Sequence, residues 1–145
     1  MDRFENPAKQ DALQTVVDHL VDVSEGYDTL LKRADAPVRD HVRAVADLHA
    51  IHLVELRSAL RDAGTKPDMS GTIMGTVHKT VVTLRDTFGE LDEDVLAAVE
   101  RGEDQVVSAY DSAIDTVSSQ HGLRGVLIKQ RNALSDQIEQ MAAAV

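Results

Sequence analysis

The sequence predicts an all-α fold, an antiparallel four-helix bundle with an extra, shorter helix in the crossover. Three observations carry that expectation. Apolar residues recur by threes and fours along five stretches, only three prolines interrupt 145 residues, and the seams of the first two long stretches return in the last two. Residues 1–145 are expected to form a single domain, because a chain of this size buries roughly two thirds of its unfolded surface in one core.

The first helix is expected over about residues 7–35. Asn6-Pro7 is a start signal, since Asn accepts a bond from a free backbone N–H and Pro has no N–H to leave unpaired. Leu13, Val16, Leu20, Val23, Tyr27, Leu30 and Ala34 then form its seam. Pro37 breaks and restarts the chain, so the second helix is placed at about 37–63, with Val38, Val42, Val45, His49, His52, Leu56 and Leu60 inside and Gly64 as its C′ residue. A shorter stretch at about 71–88 carries Ile73, Val77, Val81, Leu84 and Phe88, and Gly71, Gly75 and its threonines weaken it as a helix. Asp92 can cap the next helix, at about 93–117, whose seam runs Leu96, Val99, Glu103, Val106, Tyr110, Ala113 and Val117. The last, at about 120–143, is carried by Leu123, Leu127, Gln130, Leu134, Gln137 and Met141, with Val126 and Ile138 widening its face.

Adding 83 to every seam position of the first helix lands on the seam of the fourth, and adding 85 carries the second onto the fifth. Two helical hairpins packed face to face explain this repeat, with the 71–88 helix as the long connection between them. One long crossover is the ferritin-like topology.

Composition narrows the function. Fifteen Lys and Arg against 25 Asp and Glu give a net charge of −10, which opposes binding to nucleic-acid phosphates or anionic lipid. The absence of cysteine excludes disulfides, thiolate metal sites and Cys nucleophiles. The first thirty residues carry neither a basic start with an apolar stretch nor a span for a bilayer, so a cytoplasmic protein is expected. No phosphate loop, dinucleotide fingerprint, nucleophile elbow or metalloprotease helix occurs, and the acidic runs at Glu90–Asp94 and Glu100–Asp104 lack the alternation of a calcium loop.

Three runs together resemble a known family in order and spacing. They are Ser24-Glu25-Gly26-Tyr27, then Gly71-Thr72-Ile73-Met74-Gly75-Thr76-Val77-His78-Lys79, then Glu100-Arg101-Gly102-Glu103-Asp104 followed by Tyr110. The family is the bacterial ferritin-like family catalogued as domain of unknown function 2383. The resemblance spans nearly the whole chain and marks Glu25, Gly26, His78 and Glu100 as motif residues. It implies a ferritin-like bundle in a bacterial cytoplasmic protein, described in connection with stress and without an established activity.

Any chemistry should lie where polar groups occupy seam positions, because burying an unpaired polar group costs about 1–3 kcal/mol. His49, His52, Glu103 and Gln130 are those positions, with Gln137 beside them, and the first four fall near the middle of their helices. Ferritin-like dinuclear sites take a glutamate from each of two helices and a Glu-x-x-His pair from each of the other two. Glu103 matches one glutamate, but its repeat mate is Leu20; the two pair positions hold His49-Ala-Ile-His52 and Leu134-Ser-Asp-Gln137. Three carboxylates and one histidine are missing, which argues against a dinuclear iron site and against catalysis.

Two readings of the polar positions stay open. His49, His52 and Glu103, with Glu55 as an alternate carboxylate, have the composition of a mononuclear iron, zinc or other divalent-metal site. Alternatively the same residues, with Gln130, Gln137, Tyr27 and Tyr110, form a buried network that fixes helix register and needs no cofactor. The run Ala50–Leu56 is apolar on more than one face, so homodimerisation through the second and third helices is expected to cover the surplus.

Overall fold

The computed structural model describes residues 7–32, 34, 36–65, 93–117 and 122–143. These residues form four α-helices and contain no strand: α1 (Pro7–Leu31), α2 (Ala36–Asp62), α3 (Glu93–Thr116) and α4 (Gly122–Ala143). The shorter helix expected at 71–88 lies outside the described residues, as do His78, Gly71, Gly75 and Asp92.

The short connections 32–35 and 117–121 make α1–α2 and α3–α4 antiparallel hairpins. The hairpins pack face to face. α1 lies against α2 and α3, α4 lies against α3 and α2, and α2 meets α3 across the diagonal. The helices enclose one core, because each presents its threes-and-fours seam inward. Leu13, Val16, Leu20, Tyr27 and Leu30 come from α1; Val42, Val45, Leu56 and Leu60 from α2; Val99, Val106, Tyr110 and Ala113 from α3; Leu127, Leu134 and Met141 from α4.

Helix ends follow local chemistry. α2 stops in a Schellman arrangement: Gly64 N–H donates to Arg61 O and Thr65 N–H to Leu60 O, both at 3.0 Å. Gly64 sits there at φ 89°, a left-handed conformation that suits glycine. α1 ends at Leu31, earlier than the seam suggests, because Lys32 N–H turns back to Thr29 O before the chain restarts at Ala36. Ala34 still reaches the core from the connection, and Arg39 clamps it by donating from Nε and Nη2 to Ala34 O.

Two seam positions differ from expectation. On α4 Ile138 is buried and Gln137 only half-buried, so the inward stripe passes Leu134, Ile138 and Met141. On α1 Val23 is half-buried, while Val17 is fully enclosed. The first is a step of one position along its helix and the second turns the stripe toward the Val17 flank; threes-and-fours counting leaves both undetermined at the stripe's edges.

Candidate functional site

Four polar seam residues are buried at the middle of the bundle: His49, His52, Glu103 and Gln130. Each sits at a position where an apolar residue would complete its helix's stripe, so the local periodicity itself carries it inward. They divide into two hydrogen-bonded groups.

The first joins three helices. Glu103 of α3 receives the Tyr27 hydroxyl of α1 on Oε2. His49 Nε2 of α2 lies 2.8 Å from Oε1 and 2.9 Å from Oε2, so its N–H points into the fork of the carboxylate. The Tyr27 and His49 rings stack beside it, with centroids 6.1 Å apart and planes 18° from parallel. Burial, reinforced by the neighbouring Glu103 charge and by the bond to it, holds the Tyr27 hydroxyl well above its ordinary pKa. Tyr27 is therefore a proton donor at every physiological pH.

The second group joins α2, α3 and α4. Tyr110 donates to Gln130 Oε1 at 2.8 Å, and Gln130 Nε2 donates to the His52 carbonyl at 3.0 Å and to Glu55 Oε1 at 3.3 Å. Burial, with lesser help from Glu103 and Glu55, also raises the Tyr110 hydroxyl. His52 is held at a pKa of about 4, chiefly by burial and then by His49, and Glu55 and Glu103 oppose the shift only in part. Its ring is neutral at pH 7.

Of the polar positions read from the sequence, the side chains of His49, Glu103 and Gln130 enter these hydrogen bonds, and His52 takes part through its backbone carbonyl. Among the described residues, no three His, Asp or Glu side chains converge closely enough to hold one ion. Glu55 is exposed and reaches the layer only through Gln130; Gln137 is half-buried on α4. Of the motif residues, Glu25 is exposed, Gly26 is buried and Glu100 is half-buried. A dinuclear metal pair does not fit the chain, because the carboxylate positions equivalent to Glu103 and to the α4 pair hold Leu20 and Leu134, both fully buried among apolar side chains.

Three polar features carry no sequence signal. Asp18 and Asp22 are buried although they point away from α1's apolar seam. Gln14 Nε2 donates to Asp18 Oδ1 at 3.0 Å, and Asp22 Oδ1 has no hydrogen-bond partner among the described residues. Burial, with the charges of Asp18 and Glu25, pushes the Asp22 carboxyl up to about 6. A groove of about 430 Å³ between α1 and α3 is lined by Thr15, His19, Gln105, Ser108 and Ser112. Half-buried His19 is pushed below its usual pKa there by desolvation.

A helical bundle crossed by a buried, hydrogen-bonded polar layer is the class this architecture defines. Residues 9–116 match the family described as domain of unknown function (DUF2383), and the chain belongs to that family. No curated protein and no solved structure matches the chain significantly. No helix among the described residues is long and apolar enough to cross a membrane.

Proposed function

We propose that the chain is a ferritin-like bundle without catalysis, an interaction or structural protein of the bacterial cytoplasm associated with stress. In this reading its mid-bundle polar layer fixes how the two hairpins dock. The observation that carries it is the use of Glu103, whose carboxylate takes Tyr27 from one helix and His49 from another. Those bonds form only when α1, α2 and α3 stand in one register, because a slip of one helical turn would leave a buried carboxylate without donors. The 83- and 85-residue repeats and the long span between α2 and α3 support the ferritin-like topology.

The test compares His49→Leu with the combined Tyr27→Phe, His49→Leu, Glu103→Leu chain. His49→Leu alone should lose about 3–5 kcal/mol in urea unfolding, because it strands a buried carboxylate. The combined chain should regain most of that loss yet show duplicated or broadened amide signals by NMR, since nothing then specifies the register. A combined chain with one sharp set of signals would overturn the register role.

Homodimerisation belongs to the same proposal. It is supported by Ile51 and Val54 on α2, which are 57% and 72% exposed despite their size. Light scattering should find a dimer that Val54→Lys dissociates; a monomeric wild type at tens of micromolar removes this part of the reading.

A further inference from the structure

α2 carries a second seam on the side away from the core. Ala44, Asp47, Ile51, Val54, Ser58 and Arg61 recur by threes and fours, Asp40 continues the series one step earlier, and every one of them is exposed. Spacing of that kind is the contact line of a paired helix, and the inner seam of α2 already has its partners in α1, α3 and α4. Ile51 and Val54, at the centre of the outer stripe, are the exposed large apolar side chains among the described residues. Ala44 and Ser58 on either side of them are small enough to let a second helix approach.

The charges on the stripe say what covers it. Its contact line is acidic toward the start of α2, at Asp40 and Asp47, and basic toward the end, at Arg61. Arg43 flanks the acidic end and Glu55, Arg57 and Asp62 flank the basic one, while the line itself runs from negative to positive. Asp47 and Arg61 cannot meet within one chain, because fourteen residues of helix hold them about 21 Å apart. A second copy turned end over end brings them together. A two-fold axis between Ile51 and Val54 sets Ile51 against Val54 of the partner subunit, Asp47 against Ser58 of the partner subunit, and Arg61 of the partner subunit between Asp40 and Asp47. Helical side chains lean toward their own N-terminus, so in opposed helices Asp47 and Arg61 of the partner subunit lean toward each other. A parallel pair would instead set Asp47 against Asp47 and Arg61 against Arg61, and like charges at a helix contact repel.

We infer that two copies of this chain pair through the outer face of α2, antiparallel, about a two-fold axis between Ile51 and Val54, with Asp47 held by Arg61 of the partner subunit. The inference rests on the homodimer reading above and adds to it the face and the direction of the contact. Such an interface is isologous, so each favourable pair occurs twice. The apolar centre supplies the attraction, and the charges at its two ends choose the direction.

Cross-linking of the full chain reads the direction, and the absence of cysteine makes every introduced thiol unique. Asp47→Cys and Ser58→Cys chains, mixed and treated with a short thiol cross-linker, should join to each other. Neither should join to itself, because like positions stand about 16 Å apart along the axis of the antiparallel pair. Charge reversal reads the pairing by sedimentation equilibrium. Asp47→Arg and Arg61→Asp should each weaken the dimer roughly tenfold, since one change removes two surface ion pairs, and both changes in one chain should restore most of the affinity. The two positions are exposed, so these variants keep the fold. Asp47→Cys joined to itself, or a double reversal no tighter than the single ones, would overturn the antiparallel pairing and leave the homodimer standing. A dimer that gives no cross-link and ignores both reversals would place the interface elsewhere and overturn this face. A wild type that sediments as a monomer would overturn the homodimer reading and this inference with it, leaving the stripe to a different protein.

Discussion

Tyr27 and Tyr110 occupy equivalent seam positions 83 residues apart, yet their hydroxyls meet different chemistry. Tyr27 donates to the carboxylate of Glu103, which also holds His49. Tyr110 donates to the neutral amide of Gln130, which passes the bond on to the His52 carbonyl. The positions around them differ in a complementary way: Glu103 has Leu20 as its repeat mate, His49 has Leu134, and Gln130 has Val45. The repeated hairpins thus carry one charged cluster built on a buried carboxylate and one built on a neutral amide, with exposed Glu55 at its edge, where symmetry would give two alike. The charged cluster is the one that cannot lose a member cheaply, since a stranded ion is far more costly to bury than a stranded amide.

The largest test of that difference removes one partner from each cluster. His49→Leu leaves Glu103 buried with Tyr27 as its one remaining donor, and the expected loss is about 3–5 kcal/mol. Gln130→Leu leaves the Tyr110 hydroxyl without an acceptor, and the loss expected is about 1–3 kcal/mol. Urea midpoints of the two chains, at unchanged slope, give the comparison. Equal losses would mean that the two clusters are equally costly to break.

Deleting the hydroxyls alone sharpens it further. Tyr27→Phe removes a bond to a charged acceptor and should cost about 1.5–3 kcal/mol, whereas Tyr110→Phe removes a neutral one and should cost about 0.5–1.5 kcal/mol. Neither change opens a cavity, so the difference reads the acceptor and not the packing. If Tyr110→Phe proves the more damaging, the neutral cluster is the structural keystone.

The same contrast explains what the sequence could reveal. Spacing by threes and fours sufficed for α2, where all seven expected seam residues, both histidines included, are buried. It also singled out Glu103 and Gln130, because a polar residue at a seam position is visible without coordinates. Partnership was not visible. Nothing in the order of residues says that Tyr27 reaches Glu103 across to α3, or that Gln130 serves both Tyr110 and a backbone carbonyl of α2, because those pairings depend on the relative height of helices in different hairpins. Asp18 and Asp22 were illegible for another reason: they lie on the far side of α1 from its seam, where periodicity predicts exposure. Gln137 shows the limit at the stripe's edge, where Ile138 takes the inward place.

The smallest effect is in acid, and there two buried groups oppose each other. The His52 ring has a folded pKa of about 4 against an ordinary 6.5, so the unfolded chain binds more protons between those values. Its contribution to stability is complete above pH 6.5 and is lost as pH falls toward 4. Asp22 runs the other way. Its folded pKa of about 6 exceeds the ordinary 3.8, so the folded chain binds more protons in that window, and the penalty for its charge is full above pH 6 and relieved as pH falls toward 3.8. The wild type should therefore show a shallow net slope between pH 4 and 6.5. Removing one group at a time exposes the other: Asp22→Asn should be more stable than wild type at pH 7.5, with its advantage shrinking by pH 4.5 and a steeper acid loss overall. His52→Gln should reverse the slope, gaining stability as pH falls through 6. Thermal melts of the three chains at pH 7.5, 6 and 4.5 would check this. Parallel slopes in all three would mean that both groups keep their ordinary pKa in the folded bundle, the burial of His52 being relieved by opening of the layer.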